Sequence, residues 1–173
     1  MRIAVIGYSG SGKSTLAARL GDIYSIPILH LDQVQFSPGW VERGREEALS
    51  MVEEFMLNNH SWVIDGDYSK FLQDERLAQA DRIIFLNLPR RVCFFKAFGR
   101  YLEHRGRTRA DMADGCPEKF DLEFAKWLLL DGRSGKIRAH YRKILAAYPQ
   151  KTLVFKSMAQ TDAWLASQEA KTV

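Results

Sequence analysis

The chain has little sulfur chemistry to offer. Of its 173 residues only Cys93 and Cys116 are cysteine, and they form neither a CxxC pair nor a metal-ligand spacing. That leaves no disulfide framework and no cysteine-built zinc site; two reduced thiols in a cytoplasmic protein is the simplest reading. Also lacking is any uninterrupted apolar run near the ~20 residues that span a bilayer. No basic, apolar and small-residue succession of a secretory leader opens the sequence, since Met1 runs straight into an apolar segment. Repeats, low-complexity tracts and long linkers are missing, as are helix-turn-helix, zinc-finger and aromatic RNA-binding patterns, so no module for reading bases is evident. What is present suits one domain over residues 1–173: 46% hydrophobic and 27% charged residues. A net charge of +4 suits an anionic ligand without separating nucleotide from nucleic acid.

Five segments read as short buried strands: residues 2–7 (RIAVIG), 26–31 (IPILHL), 61–65 (SWVID), 82–88 (RIIFLNL) and 152–156 (TLVFK). They are β-branched and aromatic, and nearly continuous in apolar character, as strands covered on both faces should be. Helical patterns lie between them, at 13–20, 46–57, 91–103, 118–130, 135–148 and 161–167. Alternating strands and helices predict an α/β fold with a parallel sheet, its ligands bound outside the carboxyl ends of the strands. Residues 99–117 (GRYLEHRGRTRADMADGCP) break the pattern and read as a mobile excursion from the sheet.

Residues 7–14, GYSGSGKS, match G-x-x-x-x-G-K-[ST] in full and lie between the first strand and the first helix. Glycines let the backbone curl so that successive amides converge on phosphate oxygens, and the helix N-terminus adds its positive dipole end. Lys13 can reach the β- and γ-phosphates of a nucleotide, and the Ser14 hydroxyl is placed to ligate Mg²⁺. Thr15 supports the first helical turn. A glycine-serine turn with an accidental lysine is the bland alternative; the strand, loop and helix context favours the phosphate cradle.

Two acids follow apolar strands. Asp65 ends WVID, the usual place for a carboxylate that holds Mg²⁺ through water, and Asp32 ends ILHLD and faces the same crevice. Spacing leaves open which serves the metal and which the acceptor, and either could instead cap a helix or start a turn. Asp67 is a weaker third candidate, and His30 reads as a packed histidine. Arg90, Arg91, Lys96, Arg100, Arg105, Arg107 and Arg109 cluster at and beyond a helix end, beside glycines that can hinge. Arginines brought by a closing lid neutralise the charge that spreads over a moving phosphoryl group. A solvated basic face or a nucleic-acid backbone contact are the alternatives.

The phosphate loop, with HLD, PGW (38–40), REE (45–47), VIDGDY (63–68), LPR (88–90) and RTRADMADGCPEKFD (107–121), resembles the bacterial DNA topology modulation proteins, an adenylate-kinase-like family of P-loop kinases. The resemblance implies a three-layer P-loop fold with a five-stranded parallel sheet, a substrate-binding region at about 33–60 and an arginine-rich lid at about 99–117. It implies that Gly7, Ser9, Gly10, Ser11, Gly12, Lys13, Ser14 and Thr15 hold the ATP phosphates and that Ser157 borders the adenine. Asp32 and Arg45 would serve the acceptor, in a pocket with Asp65, Phe36 and Trp40, the two aromatics reading equally well as core residues, while Ser14 and Asp65 would hold Mg²⁺. Arg100, Arg105, Arg107 and Arg109 resemble lid arginines, with Arg100 and Arg107 the catalytic choices beside Lys13 and Asp32. The family segment carries Asn where Asp67 stands here. The expectation is an ATP-dependent small-molecule kinase whose acceptor is a hydroxyl or a phosphate, such as that of a nucleoside or nucleotide. The competing readings are an ATP-binding regulator that touches DNA through the basic excursion, and a nucleotide-binding domain without catalysis.

Overall fold

Apolar segments that cannot leave either face in water form the centre of the molecule. The computed structural model describes residues 1–172. In chain order the elements are β1 (Arg2–Gly7), α1 (Lys13–Tyr24), β2 (Ile28–His30), α2 (Leu31–Gln35), β3 (Phe36–Ser37), β4 (Val41–Glu42), α3 (Arg45–Asn58), β5 (Trp62–Asp65) and α4 (Gln73–Gln79). They continue with β6 (Arg82–Leu86), α5 (Arg90–His104), α6 (Leu122–Leu129), a 3₁₀ turn (Asp131–Arg133), α7 (Gly135–Ala147), β7 (Thr152–Phe155) and α8 (Met158–Thr172). Five strands make one parallel sheet in the order β2-β5-β1-β6-β7. β3 and β4 form a separate antiparallel hairpin.

Strand alternation divides the core into two. Ala4, Ile6, Ile64, Ile83 and Phe85 face one side, against Val52 and Met56 of α3, Leu77 of α4, and Tyr141 and Ile144 of α7. Ile3, Val5, Val63, Ile84 and Leu86 face the other, against Leu16, Ala17 and Leu20 of α1 and Leu165 of α8. The result is a three-layer α/β arrangement, with β1, β5 and β6 ending side by side. β2 and β7 are the sheet edges, which explains why their residues are only half buried.

Several boundaries depart from the sequence expectation, each for a local reason. The second strand stops at His30, because Leu31 turns inward to pack on the Gly66 backbone and opens α2. Asp32 therefore lies in the first turn of a helix rather than at a strand end. The strand expected over 82–88 ends at Leu86; the chain then turns at Pro89, where α5 begins. The helix expected from 118 starts at Leu122, because Pro117 and Glu118 are bridged to Thr108 and Arg105. The Asp121 carboxylate caps it, accepting from the Phe124 amide at 2.8 Å. Helix α8 outruns the expected 161–167 at both ends, while α4 and the β3–β4 hairpin gave no sequence signal that was recognised. The excursion at 99–117 is helical as far as His104.

The loop after β5 is held by a buried cation. Arg76 is wholly inaccessible and donates to the carbonyls of Phe71 (2.7 Å), Tyr68 (2.9 Å) and Gly66 (3.5 Å). Burial lowers its pKa to about 10, with nearby Asp67 opposing that shift. Truncation would strand three carbonyls and remove a compensating charge from Asp67. Arg76→Leu is therefore expected to cost about 3–5 kcal/mol in urea unfolding; a loss below about 1 kcal/mol would show that the loop does not depend on it.

Candidate nucleotide and acceptor site

The loop between β1 and α1 is forced into its curl by close packing. Gly7 has φ +146°, and a side chain there would come within 2.6 Å of the Leu86 carbonyl oxygen. Gly10 has φ +73°, and its Cβ would meet the Cys93 carbonyl oxygen at 2.5 Å. Neither position tolerates another residue. Within α1 the first backbone bond runs from the Leu16 amide to the Gly12 carbonyl, at 3.0 Å. The amides of Lys13, Ser14 and Thr15 consequently have no acceptor in the helix, and the positive end of its dipole lies with them. Ser11 is buried with its hydroxyl unpartnered. Lys13 folds back over the loop, its Nζ donating to the carbonyls of Gly7 (2.8 Å) and Tyr8 (3.3 Å). These are the features a phosphate chain needs.

Two carboxylates bond to this loop, and a third, Asp32, lies near His30. The Ser14 hydroxyl donates to Asp65 Oδ2 at 2.9 Å, and the other oxygen of Asp65 pairs with His30 Nδ1. Burial would lower the His30 pKa, but the hydrogen bond and charge of Asp65 outweigh it and hold the imidazole above its ordinary value. His30 is thus a partner of the site acid rather than an indifferent packed side chain. Asp67 Oδ2 accepts from the Gly7 amide at 2.9 Å and from the Tyr141 hydroxyl at 2.5 Å. Burial pushes its carboxyl up, against the pull of Lys13, Tyr141, the Gly7 amide and Arg76. Asp32 Oδ1 accepts from the Tyr68 hydroxyl at 2.6 Å, and Oδ2 has no partner among the described residues.

Beside the loop, Lys96 lies against Gly12 and donates to Met158 Sδ at 3.3 Å, with burial lowering its pKa. Ser157 is exposed and its hydroxyl accepts from the Gln160 amide at 3.3 Å, so it caps α8. Trp127 of α6 reaches over the loop, its indole donating to Ser9 Oγ at 3.1 Å.

In the segment after α2, Phe36 and Trp40 meet edge to face with centroids 5.1 Å apart. The backbone of Trp40 is left-handed at φ +65°; its amide donates to Cys116 Sγ and its indole to the Pro117 carbonyl, both at 3.2 Å. Gln33 donates to the Ala110 carbonyl at 2.6 Å, and Gly39 to that of Gly115 at 3.2 Å. The 105–119 segment therefore rests on the β3–β4 hairpin. Arg45 is exposed with no bonded partner; Arg43 braces the hairpin instead, through the carbonyls of Val34 (3.0 Å) and Phe36 (3.3 Å).

The basic excursion is internally paired. Arg100 donates through Nε (2.9 Å) and Nη2 (2.8 Å) to Oε1 of the buried Glu118, and Arg109 lies 2.7 Å from its Oε2. Arg109 also pairs with Asp111 at 3.2 Å. Arg105 and Arg107 are exposed and have no side-chain partner. Sequence reading missed Glu118 as the anchor of this segment, although its place beside Pro117 at the end of the arginine run was a usable signal. Asp67 is only a weaker third candidate in the sequence, Lys96 reads there as one of the lid cations, and Arg76 gives no signal at all.

No protein-family model matches the chain, and no curated protein matches it. Its fold is that of the P-loop small-molecule kinases, with the five-stranded parallel sheet of the adenylate-kinase-like topology. A shikimate kinase from Acinetobacter baumannii, solved in complex with shikimate, aligns over 98% of this chain and 92% of its own, with TM-score 0.61 and 16% identity. A gluconokinase from Sinorhizobium meliloti 1021 aligns over 98% and 91%, with TM-score 0.53 and 14% identity. A shikimate kinase from Bacteroides thetaiotaomicron aligns over 100% and 99%, with TM-score 0.51 and 19% identity. At these identities the likeness is one of fold, and it does not single out the DNA topology modulation proteins. Among the described residues no helix is long and apolar enough to cross a membrane.

The His30–Asp65 pair has a signed pH consequence. Its folded pKa is raised, so its contribution to stability is fully present below the ordinary imidazole value of 6.5 and is lost as pH rises through the raised value. Thermal melts of the wild type and His30→Gln are expected to differ most on the acid side and to draw together in mild alkali; a pH-independent gap would mean the pair carries no charge.

Proposed function

We propose that the chain is an ATP-dependent phosphotransferase acting on a small molecule through a hydroxyl or phosphate acceptor. The observation that carries this reading is the Ser14–Asp65 hydrogen bond, which sets a hydroxyl and a strand-end carboxylate together beneath the free amides of Lys13, Ser14 and Thr15. Hard oxygen donors of this kind suit Mg²⁺, and open amides suit phosphate oxygens, so the residues present fit both groups. Ser14 and Asp65 would hold the metal; Gly7 to Thr15 would hold the phosphates, and Lys96, Ser157 and Met158 would border the base. When bound, the nucleotide supplies the phosphoryl group and the metal neutralises charge on it.

The chain's own residues do the rest. Lys13 needs only to leave the Gly7 and Tyr8 carbonyls to place its charge on the outer phosphates. Tyr68 fixes one oxygen of Asp32 and leaves the other to accept the proton of an acceptor hydroxyl. Phe36 and Trp40 wall that pocket, and Arg45 is free to meet an anionic group on the acceptor. Residues 99–117 act as the lid, excluding water, with Arg107 unpaired and Arg100 released from Glu118 when the site fills. The DNA-binding alternative has less support, because Arg100 and Arg109 are already neutralised by Glu118 and Asp111.

Lys13→Ala and Asp32→Asn are each expected to lower turnover about 100-fold or more while leaving the circular dichroism spectrum unchanged. The measurement is ATP consumption across a screen of sugars, hydroxy acids, nucleosides and nucleotides with Mg²⁺. Consumption that no acceptor raises above background would refute the transferase reading.

A further inference from the structure

A second cleft lies beside the phosphate loop. Its volume is 570 Å³, and its lining includes Arg90 at the start of α5, Arg133 from the 3₁₀ turn, Arg138 and Arg142 on α7, and Asn87. Asp32, Asp65, Ser14 and Trp40 do not line it, and neither does any acidic residue. Arg138 and Arg142 stand four residues apart, on one helix face. Arg90, Arg138 and Arg142 are exposed and have no hydrogen-bond or ion-pair partner among the described residues.

The floor carries the second, independent observation. Arg133 is 9% exposed; its guanidinium lies 3.7 Å from the ring centroid of Tyr8, and Nη2 donates to the Leu88 carbonyl (2.6 Å) and Cys93 Sγ (3.2 Å). Its Nε is buried with no acceptor among the described residues. A buried charged donor left unpaired is costly, and four cations gathered without an acid repel one another. An anion that enters the cleft relieves the repulsion among the four arginines. The aromatic floor is closed, with Phe85 and Tyr141 stacked at 4.4 Å and Tyr8 edge-on to Tyr141 at 4.9 Å, so recognition falls to the arginines. Planar donor forks with no acid between them match phosphate oxygens. A compact cleft with one buried arginine fits a small anion better than an extended nucleic-acid backbone.

We propose that this cleft binds the phosphate or diphosphate group of a small molecule, at a site separate from the phosphate loop. The inference goes beyond the transferase reading and does not need it. Tyr8 is the wall the two sites share, and its carbonyl accepts from Lys13, so an anion seated on Arg133 is coupled to the loop through one residue.

The test is calorimetric titration of the full chain with inorganic pyrophosphate, and separately with ATP and Mg²⁺, using wild type, Lys13→Ala and the double variant Arg138→Ala/Arg142→Ala. Both α7 positions are exposed, and matched thermal melts check that the double variant is folded. Pyrophosphate binding is expected to persist in Lys13→Ala and to weaken about tenfold or more in the double variant. ATP binding should behave oppositely, lost in Lys13→Ala and kept in the double variant. Pyrophosphate binding that ignores the double substitution, or that vanishes with Lys13→Ala alone, would overturn the proposal. So would a DNA duplex that binds through Arg138 and Arg142 where pyrophosphate does not. If no variant binds ATP while pyrophosphate still depends on the α7 arginines, the transferase reading fails and this one stands.

Discussion

One buried carboxylate underlies the phosphate loop. Gly7 is the last residue of β1, and its amide can leave the sheet only if something receives it. Asp67 does so, and the same oxygen takes the Tyr141 hydroxyl from α7. Three elements are thereby joined at one atom: the end of β1, the loop after β5 and the middle of α7. Arg76 steadies that loop from below, and Lys13 lies near enough to favour the ionised form. The curl of the loop is thus set by a polar network under it as much as by its own glycines, and loosening Asp67 would release the strand end and the helix together.

The 105–119 segment is held by one buried carboxylate and by backbone contacts to its neighbours. Glu118 is buried and occupied by Arg100 and Arg109, while Gln33, Gly39 and Trp40 bind the backbone and Cys116 of the same segment. In this arrangement the arginines answer to an internal carboxylate. If the proposed transferase reading holds, a phosphate would compete with Glu118 for these arginines, and Glu118 is the partner they would return to when it left. Cys116 serves as an acceptor for the left-handed Trp40, and burial raises the pKa of Cys93.

What could be read from the sequence was what is contiguous in it. The strands announced themselves by apolar runs, and the phosphate loop by eight consecutive residues in a strand-to-helix context. The place of Asp65 at the end of its strand was legible because the apolar run stops there. The roles of Asp67 and Glu118 were not, because their partners lie 74 residues away at Tyr141 and 18 away at Arg100. His30 was misjudged for a related reason: alternation along an isolated strand says which way a side chain points, and only the neighbouring strand says that Asp65 waits there. Asp32 lay one turn into a helix that five residues were too few to reveal. Arg45 and Arg43 are two positions apart and equally basic, and only the fold separates the one that braces the hairpin from the one that faces water.

The sheet's outermost strands are short, three residues in β2 and four in β7. Pro27, with no amide hydrogen, stands just before the first of these. An unpaired margin of that length gives an approaching chain too few main-chain groups to zip onto. The architecture can therefore keep a strongly apolar centre without inviting copies of itself to fuse along their rims, and crowding should threaten it more through its oily helical surfaces at Phe95, Leu102 and Leu122 than through its strands.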